Sequence, residues 1–253
     1  SPFFWVTNSM FMVWIAALLI YLFCRAATKQ MKMVPTGIQN FAEWIIETLY
    51  NFFGGILGEH LVKRTFWFFG GTFLLILTVN YLGLFPGVGT IGLKDADGHM
   101  TKTFLRGGNA DVNMTMAMAV SFALLWFYWA LTENSVKDFF AHIFAPKGDF
   151  AGLMKIGMIV IFFAVGILEL ISIGIRPLAL TFRLFGNVYG GEQTLEGLMH
   201  LVPAKIAFLP ALPFMFMELL VGLIQALVFT LLSAVFLKLI CTHDDHGDED
   251  HAY

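Results

Sequence analysis

Charged side chains are scarce in this 253-residue chain: Asp, Glu, Lys and Arg make up 13% of it, whereas 58% of residues are hydrophobic. A soluble domain covers itself with about a quarter charged residues, so this balance, with 28 Phe and a mean hydropathy of +0.76, excludes water as the main solvent. Cysteine is nearly absent. Cys24 and Cys241 each end a hydrophobic run with no second thiol nearby, so no CxxC site is present and they read as separate buried thiols rather than a disulfide. Basic residues are few and lie in small groups at segment ends, which speaks against a nucleic-acid face. The net charge of −3 comes from Asp244, Asp245, Asp248, Glu249 and Asp250 at the C-terminal end, without which the chain is slightly positive.

What is abundant is long apolar runs. Residues 3–24 have about the 20-residue length that crosses a hydrocarbon core. They lack the basic leader and small-residue cleavage site of a secretory signal, although the chain opens on Ser1 rather than Met and leaves earlier processing open. The run ends at Arg25, Lys29 and Lys32, and such clusters prefer the cytoplasmic side, which puts Ser1 outside. Residues 38–62 mix Glu43, Glu47, Glu59 and His60 with Phe41, Trp44, Ile45, Phe52 and Phe53, the pattern of an interfacial helix. Residues 65–85 and 112–132 are charge-free and read as a spanning hairpin around an external loop broken by Pro86 and glycines. A polar cytoplasmic connection follows. Residues 156–201 form one apolar region that as a single helix would be about 70 Å long at about 1.5 Å per residue, so it either folds into two spans or lies strongly tilted, with Pro177 a candidate bend. The segments at 153–201 and 206–240 are followed by an acidic tail, 241–253, returned to the cytoplasm. The expectation is an all-α integral membrane protein of five to six helices forming one membrane domain.

The last two apolar segments alone carry charge: Glu169, Arg176, Arg183, Glu192, Glu196 and Glu218. A charge at the bilayer centre costs about 2.5 to 3.5 kcal/mol or more, so such residues mark ion pathways or pair between helices. Arg176 fits either reading. Arg183 has apolar neighbours and no acid within a helical turn, so its partner must come from elsewhere. At about 100° per residue, Glu169, Arg176 and Arg183 recur every seven positions in nearly one stripe, with Asn187 close to it. Glu192 and Glu196 share another side, and on the last helix Glu218 and Gln225 line one face. Titratable carboxyls beside a fixed cation suit a proton path.

Arg183-Leu184-Phe185-Gly186-Asn187, then Gly191-Glu192, then Gln225-Ala226 resemble subunit a of F-type ATP synthases, as do Asn80-Tyr81-Leu82-Gly83-Leu84-Phe85-Pro86 and Asp111-Val112-Asn113-Met114-Thr115. The resemblance implies a non-catalytic, proton-translocating stator beside a rotating c-subunit ring, working with peripheral stalk b-type subunits and the catalytic head. It implies no cofactor and no metal. By resemblance, Arg183 would ionise the arriving ring carboxylate and block direct leakage; Asn187, Glu192, Glu218 and Gln225 would line the outer half-channel, and Glu169 with Ser172 the cytoplasmic one. Arg176, Glu196, Asp111 and Asn113 are further candidates. It also implies two long helices lying nearly horizontal around the ring. Family members vary at the positions of Glu192 and Glu218, so two acids here keep a relay open without fixing its proton count. Protons are favoured over sodium as the coupling ion. The absence of an organelle-targeting leader agrees with a bacterial rather than a mitochondrial inner membrane.

Other signals are weaker. Gly87, Gly89 and Gly92 spell GxGxxG without the flanking strand and helix of a dinucleotide site. Gly186 and Gly190 form a GxxxG, which permits close helix packing. His243, His246 and His251 lie in the acidic tail with no apolar residues to fix a metal geometry, and Asn113-Met114-Thr115 is a chance sequon. The alternative to a stator is an ion-coupled secondary transporter, which would be built from repeated halves; none is detectable.

Overall fold

The computed structural model describes residues 8–85, 88, 92–94, 100–103, 107–133, 153–201, 203 and 208–241. Six α-helices run through them: α1 Asn8–Thr28, α2 Ile38–Leu57, α3 Glu59–Gly83, α4 Val112–Glu133, α5 Leu153–His200 and α6 Phe208–Cys241. Five of these, all but α2, are long and apolar enough to cross a membrane. The helical membrane class expected from composition is therefore what the chain adopts. The exception is small: within the loop after α3, β1 (Gly92–Lys94) pairs antiparallel with β2 (Met100–Thr103), Gly92 facing Thr103 and Leu93 facing Lys102. Gly92 thus opens a hairpin strand rather than a helix, the wrong context for a nucleotide-binding turn. The histidine-bearing tail lies outside the described residues.

The chain divides into two compact units, residues 1–115 with 182–235, and residues 116–181 with 236–253. In the first, α2 and α3 are separated by one residue. Gly58 has φ 83°, a conformation that glycine adopts without a Cβ penalty, and its N–H bonds the Gly54 carbonyl at 2.9 Å while Val62 N–H bonds its own carbonyl. The segment expected over 38–62 as one helix is thereby divided, and Glu59 and His60 begin α3 instead, where an acid in the first turn complements the helix dipole. The fully buried Phe53 packs on Phe69 with ring centroids 5.6 Å apart, fixing the bend. Val13, Ala16 and Val79 form a core between α1 and α3, flanked by Leu75, Leu82 and Met114.

Neither Cys24 nor Cys241 is in a disulfide among the described residues, and Cys24 is exposed rather than buried, because the end of α1 leaves that side open. In the second unit, Trp126 and Trp129 are buried, and the Trp126 indole N–H donates to the Phe236 carbonyl at 3.1 Å. The long apolar region resolves as one continuous helix: α5 runs 48 residues through Pro177 without a break. α6 likewise begins ahead of its prolines, carrying Pro213 within it. α5 is also the least covered element. Only 6% of its most apolar window is buried, against 33% for α3 and 39% for α4 and α6.

Candidate functional site

On α5, Arg183 is exposed, and no hydrogen bond or ion pair engages it among the described residues. Phe182 beside it is also exposed, and a Cβ added at Gly186 or Gly190 would meet nothing within 4 Å. One turn along, Asn187 turns to α6 and donates from Nδ2 to Gln225 Oε1 at 2.7 Å. Gln225 is buried, and its Nε2 has no hydrogen-bond partner among the described residues. An orphan donor of this kind needs water or a transient acceptor.

Asn187 and Gln225 line a cavity of about 50 Å³ together with Glu192, Glu218, Gly191 and Asn80. That is room for one or two waters. Glu192 accepts the Gly107 N–H at 3.1 Å, from the turn that precedes α4. Glu218 is buried, its carboxyl lying directly over Gly191, where any side chain would displace it. Four of the residues that the sequence singled out on α5 and α6 thus share one small cavity, whose walls are otherwise largely apolar, Val79, Val188 and Leu195 among them. Glu196, one turn beyond Glu192, is exposed and does not line it.

The remaining candidates are not among the residues that line that cavity. In the second unit, Arg176 Nη2 pairs with Glu169 Oε1 at 3.0 Å and its guanidinium covers the Phe236 ring at 4.7 Å. Of the two readings open for Arg176, pairing describes its geometry, with a cation–π contact added. Ser172 is half-buried. Asp111 caps α4: its Oδ1 accepts the Asn113 N–H at 2.9 Å, while its Oδ2 accepts the Ser9 hydroxyl. Asn113 itself is exposed.

Of the residues that brace the cavity, sequence reasoning named Asn80 only as part of a resembling segment and passed over Asn109 and Gly222. Asn109 Nδ2 donates to Asn80 Oδ1 at 2.7 Å, and Asn80 Nδ2 donates to the Gly222 carbonyl at 3.1 Å, tying the pre-α4 turn to α3 and α3 to α6. Asn80 can reach that carbonyl because residue 222 has no side chain; a Cβ there would stand 3.2 Å from Asn80 Cβ. The single available signal was Asn80 itself, an amide inside a charge-free run. Asn80→Leu should remove both bonds and leave buried Asn109 without its partner, costing about 1–3 kcal/mol. The check is a lowered midpoint of thermal unfolding in the purified complex, with Asn80→Gln intermediate.

Comparison with known proteins agrees with the resemblance carried by the Arg183 and Gln225 segments. The family model described as ATP synthase A chain matches residues 10–238. ATP synthase subunit a of Gloeobacter violaceus is 31% identical over 240 residues, spanning 94% of this chain and 86% of the relative. Its counterpart from Helicobacter pylori is 30% identical over 93% of this chain and 91% of its own length, and that from Solidesulfovibrio magneticus 29% identical over 98% and 87%. Because the match runs through all six helices and both units, the chain belongs to the ATP synthase A chain family.

Proposed function

We propose that this protein is the proton-conducting stator of a rotary ATP synthase, a membrane subunit that is not catalytic on its own. The observation that carries the reading is Arg183: a permanent cation on the least covered membrane helix, without an acid of its own among the described residues. A cation so placed in a membrane requires a counter-charge from outside the chain, and a ring of c subunits, each bringing a carboxylate past α5, supplies one.

In this mechanism a ring carboxylate reaches Arg183 and gives up its proton, since the guanidinium favours the ionised form. On the C-terminal side of Arg183 in the sequence, the cavity holding Glu218, Glu192, Asn187 and Gln225 exchanges protons with the outer aqueous phase. On the other, Glu169 and Ser172 serve the cytoplasmic path, with Arg176 holding the Glu169 carboxylate in place. A proton entering from outside neutralises a ring carboxylate, rides the ring through lipid, and leaves by the second path. Arg183, which falls between Ser172 and Asn187 in the sequence of α5, prevents a direct transfer. Protons are the favoured coupling ion in this reading, with two titratable carboxyls in the cavity, and the surroundings of the ring carboxylate set the selectivity. The subunit sits in a bacterial inner membrane with its C-terminus cytoplasmic, held by b-type stalk subunits and coupled through them to the catalytic head.

Purifying the tagged chain from membranes in mild detergent tests this. A ring of small proteolipids should copurify with it, and transport should require that ring. A chain that purifies alone and accumulates a solute in vesicles under an ion gradient would be a secondary transporter instead.

A further inference from the structure

α1, α2 and α3 enclose a groove of about 440 Å³ that the proton path does not use. Its walls include Leu19 and Phe23 of α1, Phe41 and Ile45 of α2, and Leu74 of α3, and it is overwhelmingly apolar. The volume falls in the ordinary range for ligand sites, about 300–1,000 Å³. The groove runs to the end of α1, where Cys24, Thr28 and Met31 also line it. Interleaved with those three are Arg25, Lys29 and Lys32, all exposed, and none of them makes an ion pair among the described residues. Met31, Met33 and Val34 are exposed at 74%, 102% and 75%, so apolar and cationic side chains alternate where the chain leaves the helix. Long basic side chains beside apolar ones suit the boundary between headgroups and acyl chains.

Of two acids on α2, Glu43 lines the groove itself and Glu47, one turn further along, does not. Glu43 accepts a hydrogen bond from Gln39 Nε2 at 2.8 Å, and the same amide nitrogen donates to the Lys32 carbonyl at 3.0 Å, so Gln39 holds Glu43 against the connecting loop. Glu47 is exposed. By count, the three cations at the end of α1 and in the loop after it outnumber these two acids of α2, and they flank the groove rather than line it.

We propose that this groove is a binding site for one anionic phospholipid, an acyl chain lying between α1 and α2 and the phosphate held by Arg25, Lys29 and Lys32. Charge complementarity selects this occupant over a neutral lipid, whose zwitterionic headgroup gains little from three clustered cations, and basic clusters at helix ends recognise anionic headgroups in this way. The lipid would seal the seam between α1 and the α2–α3 pair, at the end of that pair away from Gly58, and so support the unit that holds the Glu192 and Glu218 cavity.

Cys24 is an intrinsic reporter because it lines the groove and is exposed. The test measures its rate of alkylation by N-ethylmaleimide in the whole detergent-purified, delipidated complex, read by mass spectrometry of the Cys24 peptide. Added phosphatidylglycerol should slow alkylation at least about fivefold, and phosphatidylcholine at the same concentration should not. The double variant Lys29→Gln, Lys32→Gln should need about tenfold more phosphatidylglycerol for the same protection. Equal protection by both lipids would overturn the headgroup assignment. If Cys24 is already unreactive in the delipidated complex, another protein subunit covers the groove and the lipid site is wrong.

Discussion

Arg183→Ala in the assembled complex is expected to abolish ATP-driven proton uptake by vesicles while the subunits remain together. Arg183 is exposed on α5 and bonded to nothing described, so its removal breaks no internal contact there. What is lost is its action on an approaching carboxylate. Two unit charges about 4 Å apart attract by about 4 kcal/mol at the effective dielectric typical near a protein surface, so without the cation the ionisation constant of that carboxylate falls by about three orders of magnitude. A ring whose carboxylates stay neutral cannot exchange protons at the stator. Passive leak in the same vesicles is the second readout, because a barrier charge between two aqueous paths should leave a measurable conductance when it is removed. Arg183→Lys keeps the charge but loses the planar fork, and should retain only a small part of the uptake. Normal uptake by the alanine variant at equal assembly would mean that the stripe of Glu169, Arg176 and Arg183 is structural.

The parts of this molecule that were legible in its sequence depend on local periodicity or on a residue being out of place. The spans declared themselves by length and apolarity. Arg183 stood out because no acid lay within a turn, and the structure gives it no described partner. The continuity of α5 was not decided by periodicity, since a fold into two spans satisfied the same pattern; only its uninterrupted helix through Pro177 chooses between them. The α2–α3 bend was missed because its cause is a single positive φ at Gly58, and amphipathic character continues on both sides. The bracing of the cavity was hidden for a different reason. Asn80 to Gly222 and Gly107 to Glu192 join residues 142 and 85 positions apart, each using a backbone group that every residue type carries. No side-chain pattern announces a backbone donor or acceptor. The exposure of Cys24 was likewise a property of what fails to pack on α1, which composition alone does not reveal.

Gly191→Ala tests whether the Glu218 carboxyl belongs to the conducting path. A Cβ at residue 191 would stand 2.7 Å from Glu218 Oε2 and nearer still to Oε1 and Cδ, so the carboxyl must move. Glu218 is a flexible side chain, and the helices need not separate to make room; the methyl group displaces the acid from the cavity it shares with Glu192, Asn187 and Gln225. A displacement of about 1 Å in a proton-handling group can cost about a hundredfold in rate, so ATP-driven uptake should fall about 10- to 100-fold with assembly unchanged. Gly71→Ala is the control. A Cβ at residue 71 meets nothing within 4 Å, and alanine in a helix interior is favoured over glycine by about 1 kcal/mol, so uptake should remain normal. The second change that separates displacement from damage is Glu218→Asp on the Gly191→Ala background, because a carboxyl one methylene shorter clears the new methyl group. Partial recovery of uptake in the double variant is the expected result, since a disturbed helix packing would not be repaired by removing a methylene. If Gly191→Ala transports normally, the Glu218 carboxyl does not carry the proton and the outer path must run through Glu192 alone.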